Sequence, residues 1–592
     1  MAEVPDDARQ VPADGESSRE GIVEQSRAFL RTLRQSPQRG ALLALAGALI
    51  VVVAATAASQ IWLNVWTKAF YDSLSDRNMA SFLRQLSLYV VIAGLLLVLN
   101  VAQMWLNLTM KMKLREALTR DLIAQWLTPR RAFLIADAGA IGVNPDQRIH
   151  QDAQHLAELS TDLAIGLLQA ALLLVSFIGV LWALSSDVVF NLGGRRFHIP
   201  GYMVWSVLLY SGVASFVSWR TGGRLIPLNA EHYARESNLR FALVHAGIHS
   251  EGIAVYRGEA EEKGRLNEEL DRLLVILRGL VSVTTRLTWV TAGYGWFTIV
   301  APIIVASPAY FSGELTLGGL LMAVGAFGQV QSSLRWFVDN FGNIADWRAT
   351  LLRVESFRSA LQAMDRLGGG ASRIALVVGV EGRLRFDCLR VLSPIGDVTL
   401  EAPDVTIGPG ERVLISGAPG AGKTSLFRAI AGLWSWGSGR IELPSDDEIM
   451  FMPKRPYIPD GSLRTVLAYP AAPGRFTPED YAAALRRMGL DHLVAKLDEV
   501  ARWDRELTDV EQQALAFARL PLHKPRWLIV DSAMNSLPVR AREAVLDLLR
   551  TELAATALVN ISVPQGDEGS YTRVLRLVRN AQGECLAYPG GP

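Results

Sequence analysis

A six-span α-helical membrane domain followed by an α/β domain built on a phosphate-binding loop is the fold class this sequence predicts. Three observations predict it: six long apolar runs, a bias of Lys and Arg toward alternate connections between them, and one glycine-rich P-loop in the C-terminal part. The chain has 592 residues, half of them apolar and 20% charged, so it is several times longer than one core needs. Its mean hydropathy of +0.22 suits membrane spans better than a soluble protein of this size. With 59 Lys+Arg against 58 Asp+Glu there is no overall field to draw nucleic acid, which is not expected as a partner. Two distant cysteines, Cys388 and Cys585, provide neither a disulfide framework nor a cysteine-based metal site.

Residues 1–34 are polar, mixed in charge and without an apolar core, and read as a disordered cytosolic tail. The span candidates are 41–66, 86–110, 163–184, 201–219, 287–311 and 317–338, of which the fourth is the shortest. At about 1.5 Å per residue such runs cross a hydrocarbon core of about 30 Å. Arg27, Arg31, Arg34 and Arg39 beside span 1 and the connections 111–162 and 220–286 make 21 basic residues, against five on the alternate side, so both termini are expected in the cytoplasm. Those two long connections are rich in helix formers, which extends the helices well beyond the membrane. The organisation is therefore a membrane domain over 35–345, a linker over 346–372 with Gly368-Gly369-Gly370 at its end, and an α/β domain over 373–592.

In the last domain, Val413-Leu414-Ile415 reads as a strand. It is followed directly by Gly417-Ala418-Pro419-Gly420-Ala421-Gly422-Lys423-Thr424 and then by a helical run from Ser425. Strand, G-x-x-x-x-G-K-T and helix is the P-loop in its required context: backbone N–H groups wrap phosphates at a helix N-terminus, and Lys423 neutralises the outer ones. The Thr424 hydroxyl is placed to hold Mg²⁺. The candidate nucleotide-binding residues are accordingly 417–425, ending with Thr424 and Ser425.

Six spans with long cytosolic extensions and a P-loop domain resemble an ABC half-transporter of the exporter type. Three segments narrow the resemblance to the BacA/SbmA-related group: Asn64 to Asp72, Asn144 to Ile149, and Glu251 to Glu259. Relatives in that group carry antimicrobial peptides, bleomycin or cobalamin, and the group is similar to the peroxisomal fatty-acyl transporters. The first segment also suits an interfacial aromatic belt. The third resembles the family's cytoplasmic coupling segment between spans 4 and 5. The resemblance implies an α-helical six-span exporter-type transmembrane domain and an α/β P-loop nucleotide-binding domain, with ATP and Mg²⁺ as cofactors. It further implies an inner (plasma) membrane location and a dimer with a second copy or a sister half-transporter, because each site closes between two such domains.

The same resemblance exposes departures. Trp527 to Asp531 matches the Walker B strand, with Asp531 holding Mg²⁺ through water, but the water-activating Glu is replaced by Ser532. A neutral hydroxyl does not accept a proton as a carboxylate does. Lys454 stands where relatives have a metal-reaching Gln, Gln565 where they have the switch His, and Pro538 where an Asp follows Walker B. The signature reads Leu507-Thr508-Asp509-Val510-Glu511-Gln512-Gln513: Thr508 keeps a hydroxyl for nucleotide, Asp509 puts negative charge where phosphate is met, and Val510 adds bulk. Thr508 and Glu511 fit a capping box, so the helix itself is expected to survive. Phe386 is the nearest aromatic for stacking on adenine and equally reads as a strand residue. The expected function is ATP-binding transport of a peptide-like or cobalamin-like solute. The alternatives are a proton-driven transporter with the nucleotide domain as a non-hydrolysing clamp, and a heterodimer with an intact sister.

Overall fold

The computed structural model describes residues 27, 29, 31, 33–34, 36–136, 145–186, 189–192, 195–363, 373–379, 381–393, 396–445, 448–563 and 568–580. Of the disordered tail expected over 1–34, the described residues 27, 29, 31, 33 and 34 are helical instead; residues 1–26, the Gly368-Gly369-Gly370 boundary, Asn144, Gln565 and Cys585 lie outside the described residues. The chain divides into two units, one of residues 1–124 with 144–359 and the other of 125–143 with 360–592.

Among the described residues, six helices of the first unit are long and apolar enough to cross a membrane: Arg39–Ser75, Met79–Trp126, Pro145–Ser185, Tyr202–Ile248, Glu259–Phe311 and Leu317–Asp339. Each contains one of the runs read from the sequence. The second and fifth, of 48 and 53 residues, far exceed a membrane's thickness. Apolar windows leave every backbone group to be satisfied within the helix, and hydroxyls follow the same rule: Thr56, Ser59 and Thr67 each donate to the carbonyl four residues back. Span 6 is the centre of the bundle. Its Ala326, Phe327 and Val330 pack with Phe177 and Leu181 of span 3 and Val207 of span 4. The short connection between spans 3 and 4 is an antiparallel pair, β1 (Val189–Leu192) and β2 (Arg195–His198).

The Asn64 to Asp72 segment joins spans 1 and 6. Asn64 Nδ2 donates to the Met322 carbonyl at 3.1 Å, and Asp72 Oδ1 accepts from the Gly318 N–H at 2.9 Å, which caps the start of span 6. Between them Trp66 stacks on Phe70 with centroids 4.8 Å apart and donates to the Gln85 carbonyl. Gly318 has no alternative here, since a Cβ would lie 2.1 Å from the Lys68 carbonyl oxygen.

Residues 346–363, assigned to the linker from sequence, lie within a helix, Phe341–Ala363, which buries Leu351, Val354, Phe357 and Leu361. Polar contacts fix it to the base of span 3. Arg353 pairs with the buried Asp152, which Arg148 also holds, while His155 meets Asp346 at 2.6 Å and Trp347 donates to Ser160.

The second unit begins in the connection between spans 2 and 3. Residues 125–143, grouped with the membrane domain in the sequence reading, belong with the nucleotide domain, because the Arg428 guanidinium lies over the Phe133 ring and Arg130 abuts Gly432. The sheet comprises β3 (Ala375–Val378), β4 (Leu384–Ser393), β5 (Gly396–Leu400), β6 (Asp404–Ile407), β7 (Arg412–Ser416), β8 (Gly437–Leu443) and β9 (Ile449–Met452). After the small pair β10 (Gly461–Ser462) and β11 (Val500–Ala501), it resumes with β12 (Trp527–Asp531), β13 (Ala557–Ser562) and β14 (Arg573–Asn580). Its order is β3-β8-β4-β5-β14-β7-β13-β12-β9, with β6 on β4. The run from β14 to β9 is parallel and the flanking part mainly antiparallel. Parallel strands buried on both faces read as continuous apolar runs, as Trp527-Leu528-Ile529-Val530 does. A separate helical layer buries Trp503, Phe517 and Tyr481.

Candidate functional site

The C-terminal ends of parallel strands are where ligands bind in α/β sheets, and the candidate residues converge there. β7 delivers the P-loop, and the helix Lys423–Ile430 leaves it. Gly420 and Gly422 take left-handed φ values of +76° and +85°, open to glycine at little cost. Gly422 also backs onto Val398, whose methyl a Cβ would meet at 2.4 Å. Ala418, Pro419 and Gly420 form the exposed rim and Ala421 is buried behind them. The Lys423 ammonium donates to the carbonyls of Gly417 and Ala418, both at 2.8 Å, and so lies along the loop's inner curve. Burial lowers its pKa, and the charge of Asp531 opposes that shift. Thr424 and Ser425 follow in the first helical turn, with Thr424 exposed.

Asp531 ends β12, in register with Ile561 of β13 and through it with Ile415 of β7, so it stands one strand removed from the loop. It is buried, and burial raises its carboxyl above the ordinary range. Hydrogen bonds from Thr424 and Ser532 and the charges of Lys454 and Lys423 oppose the shift. The charge of Lys454 acts on this carboxylate because β9 lies beside β12 with Met452 opposite Val530, and Lys454, itself exposed, is two residues beyond Met452. Ser532 takes a left-handed φ of +53°, and its hydroxyl lies 3.3 Å from the Ile561 carbonyl and 3.4 Å from Asp531 Oδ1. Pro538 is the N-cap of the helix Val539–Arg550. The structure thus gathers Lys423, Thr424, Asp531 and Ser532 into one cluster, with Lys454 exposed at the same sheet end.

The signature segment forms the helix Asp509–Phe517 with the expected capping box complete. Thr508 Oγ1 donates to Glu511 Oε2 at 2.8 Å, and the Thr508 N–H donates to the same oxygen at 3.0 Å. Its hydroxyl is therefore held by Glu511, which also pairs with His492 at 3.2 Å. Those backbone and hydroxyl donors hold the Glu511 carboxyl below its usual pKa. Asp509 and Val510 are exposed at the helix start.

Phe386 is fully buried in β4 among core residues, which rules out adenine stacking: its alternating strand position points it inward. Two residues escaped the sequence reading. Arg579 on β14 lies opposite Val398, and its guanidinium donates to the Gly420 carbonyl at 3.3 Å, adding a cation beside the loop. Arg519 is buried and donates to the carbonyls of Val466 and Tyr457, joining the helical layer to the segment after Lys454. Burial brings its pKa down to about 10. Nothing local in sequence marks either, since each partner is more than 50 positions away.

Mg²⁺ seeks a near-octahedral oxygen shell. Of the donors expected from the resemblance, the Thr424 hydroxyl and Asp531 carboxylate are in place. An ammonium, Lys454, stands at the position where the resemblance has the metal-reaching Gln, so the donor set fits a resident Mg²⁺ poorly.

Comparison with known proteins places this geometry. Residues 35–311 match the family model for ABC transporter transmembrane region 2, and residues 400–535 match that for ABC transporters. An uncharacterised ABC transporter ATP-binding protein of Synechocystis is 30% identical over 508 residues, covering 82% of this chain and 73% of that one. The chain belongs to the ABC transporter family. One membrane domain and one ATP-binding domain in a single chain make this transporter a half-transporter. It is 26% identical to the inner membrane ABC transporter ATP-binding protein YddA of Escherichia coli, over 86% and 89% of the two chains. It is also 26% identical to the chloroplastic ABC transporter D family member 2 of Arabidopsis thaliana, over 84% and 78%. The transporter's fold is that of exporters: a bacterial Atm1-family ABC exporter with ATP bound matches with a TM-score of 0.72 at 15% identity, over 91% of this chain and 94% of that one.

Proposed function

We propose that the transporter is an inner-membrane member of the BacA/SbmA-related group, paired with a second copy or a sister subunit. In this reading it binds ATP in a degenerate nucleotide domain and moves a peptide-like or cobalamin-like solute. Both termini face the cytoplasm, as the basic bias supports. One observation carries the reading: the phosphate cradle of residues 417–425 is intact, while the positions that activate water beside Asp531 hold Ser532 and Lys454. Phosphate affinity comes from the loop N–H groups, Lys423 and the helix N-terminus. Mg²⁺, for which Thr424 and Asp531 remain, adds less than in a complete donor set. The exposed tip at Val255 and Tyr256, 74% and 88% accessible, supports pairing, because it leaves two large side chains for a partner to cover.

A second reading, with the nucleotide domain as a non-hydrolysing clamp on a proton-driven transporter, is favoured by the signature helix, whose Thr508 hydroxyl is already bound to Glu511. Uptake into membrane vesicles with ATP, with an imposed pH gradient, and with neither separates the two. The primary reading expects ATP-dependent uptake that Lys423→Ala abolishes, with a loss of nucleotide affinity of about tenfold or more. Uptake driven by the pH gradient alone and indifferent to Lys423→Ala would favour the clamp.

A further inference from the structure

The replacements around Asp531 change the charge of the site in one direction. Relative to a site with Gln at position 454 and Glu at 532, Lys454 adds one positive charge and Ser532 removes one negative charge. The sum equals the charge of one Mg²⁺. The pairing of β9 with β12 brings position 454 to the same sheet end as Asp531, close enough for its charge to act on that carboxylate. Ser532 in turn directs its hydroxyl toward the Ile561 carbonyl and the Asp531 carboxylate. A divalent ion on Thr424 and Asp531 would sit against two ammonium groups, Lys423 and Lys454, with like-charge repulsion in a partly buried site. A triphosphate there needs cations, and the chain supplies three: Lys423 on the loop, Lys454 on the neighbouring strand exit, and Arg579 at the rim.

We propose that this site takes a nucleoside triphosphate as the metal-free anion, with the Lys454 ammonium standing in for the divalent cation. The inference rests on the reading that the P-loop binds nucleotide. It goes beyond that reading by naming the form of the ligand and the residue that selects it. Lys454 is exposed, so its substitution leaves the buried framework of β9 and β12 untouched.

The test is direct binding of ATP to the full-length transporter in nanodiscs, by calorimetry, at matched ionic strength with excess EDTA or excess MgCl₂. The parent protein should bind ATP in EDTA at least as tightly as in MgCl₂. Lys454→Gln should weaken binding in EDTA by about tenfold or more, the scale of losing one close charge contact at a phosphate. The same variant should bind no more weakly in MgCl₂, so the order of affinities inverts, whereas Lys454→Arg keeps the parent order. Binding by the parent that requires Mg²⁺, or a Lys454→Gln variant with an unchanged EDTA-to-MgCl₂ ratio, would overturn the stand-in while leaving nucleotide binding intact. No ATP binding in either buffer, matched by Lys423→Ala, would overturn the nucleotide reading and this inference with it.

Discussion

Asp531 carries the cost of the site at the scale of single residues. Its carboxylate is buried at the end of β12, and burial raises its pKa above the ordinary 3.8. A carboxyl whose pKa is raised on folding binds its proton more tightly in the folded chain, so ionisation at neutral pH costs stability. Asp531→Asn is therefore expected to raise the melting temperature at pH 7. The gain should be full above the raised folded-state pKa and should fade as pH falls toward 3.8, where the unfolded carboxyl also becomes neutral. Thermal unfolding of both proteins across that range checks it; a lower melting temperature for Asp531→Asn at pH 7 contradicts the argument.

Four elements illustrate how far local sequence reaches. The P-loop, β12 and the capped signature helix were all legible because each is a contiguous pattern whose physics is local: a turn that needs glycine, an apolar strand, a Thr-x-x-Glu cap. The Asn64 to Asp72 segment was legible as a motif but not as a joint, because its partners Gly318 and Met322 lie about 250 residues later. Phe386 and Arg579 were opaque for the same reason: sheet order, which no local pattern encodes, buries one in the core and carries the other to the loop. At the span 1–span 6 joint, Gly318→Ala should destabilise the membrane unit by about 1–3 kcal/mol, since a methyl has no space against a backbone carbonyl. Unfolding in detergent would report it, with Gly328→Ala, where a Cβ meets nothing within 4 Å, as the control. At the signature helix, Asp509→Gly with Val510→Gly should increase ATP-dependent association of paired nucleotide domains and leave association in ADP unchanged. The change removes a like charge from the outer phosphate. Dipolar distances between paired domains measure this, and an unchanged ATP-bound distance would mean that the segment does not face nucleotide.

For the whole molecule, the departures lie on one reaction path. In the proposed reading Ser532, Lys454 and the signature all bear on the same step, so repair of one would leave the others limiting. The isolated homodimer is expected to hydrolyse ATP slowly, and Ser532→Glu alone is expected not to bring a normal rate. A brisk ATPase in the parent that depends on Lys423 would contradict this. The fold keeps its strands, caps and loop intact around these positions because they are exposed or strand-terminal: Lys454 and Asp509 face solvent, and Ser532 is held by backbone it would contact in any case.

The fifth span has a mechanical consequence. It is one helix, Glu259–Phe311, beginning just after the turn at Arg257. At about 1.5 Å per residue the part before the apolar run, 259–286, is about 42 Å long and the apolar run, 287–311, about 37 Å. A continuous rod of this length relays a displacement of one end to the other without amplifying it. Pro302 and Pro308 both sit in the apolar run, so compliance is concentrated there and the charged part before it is the stiffer handle.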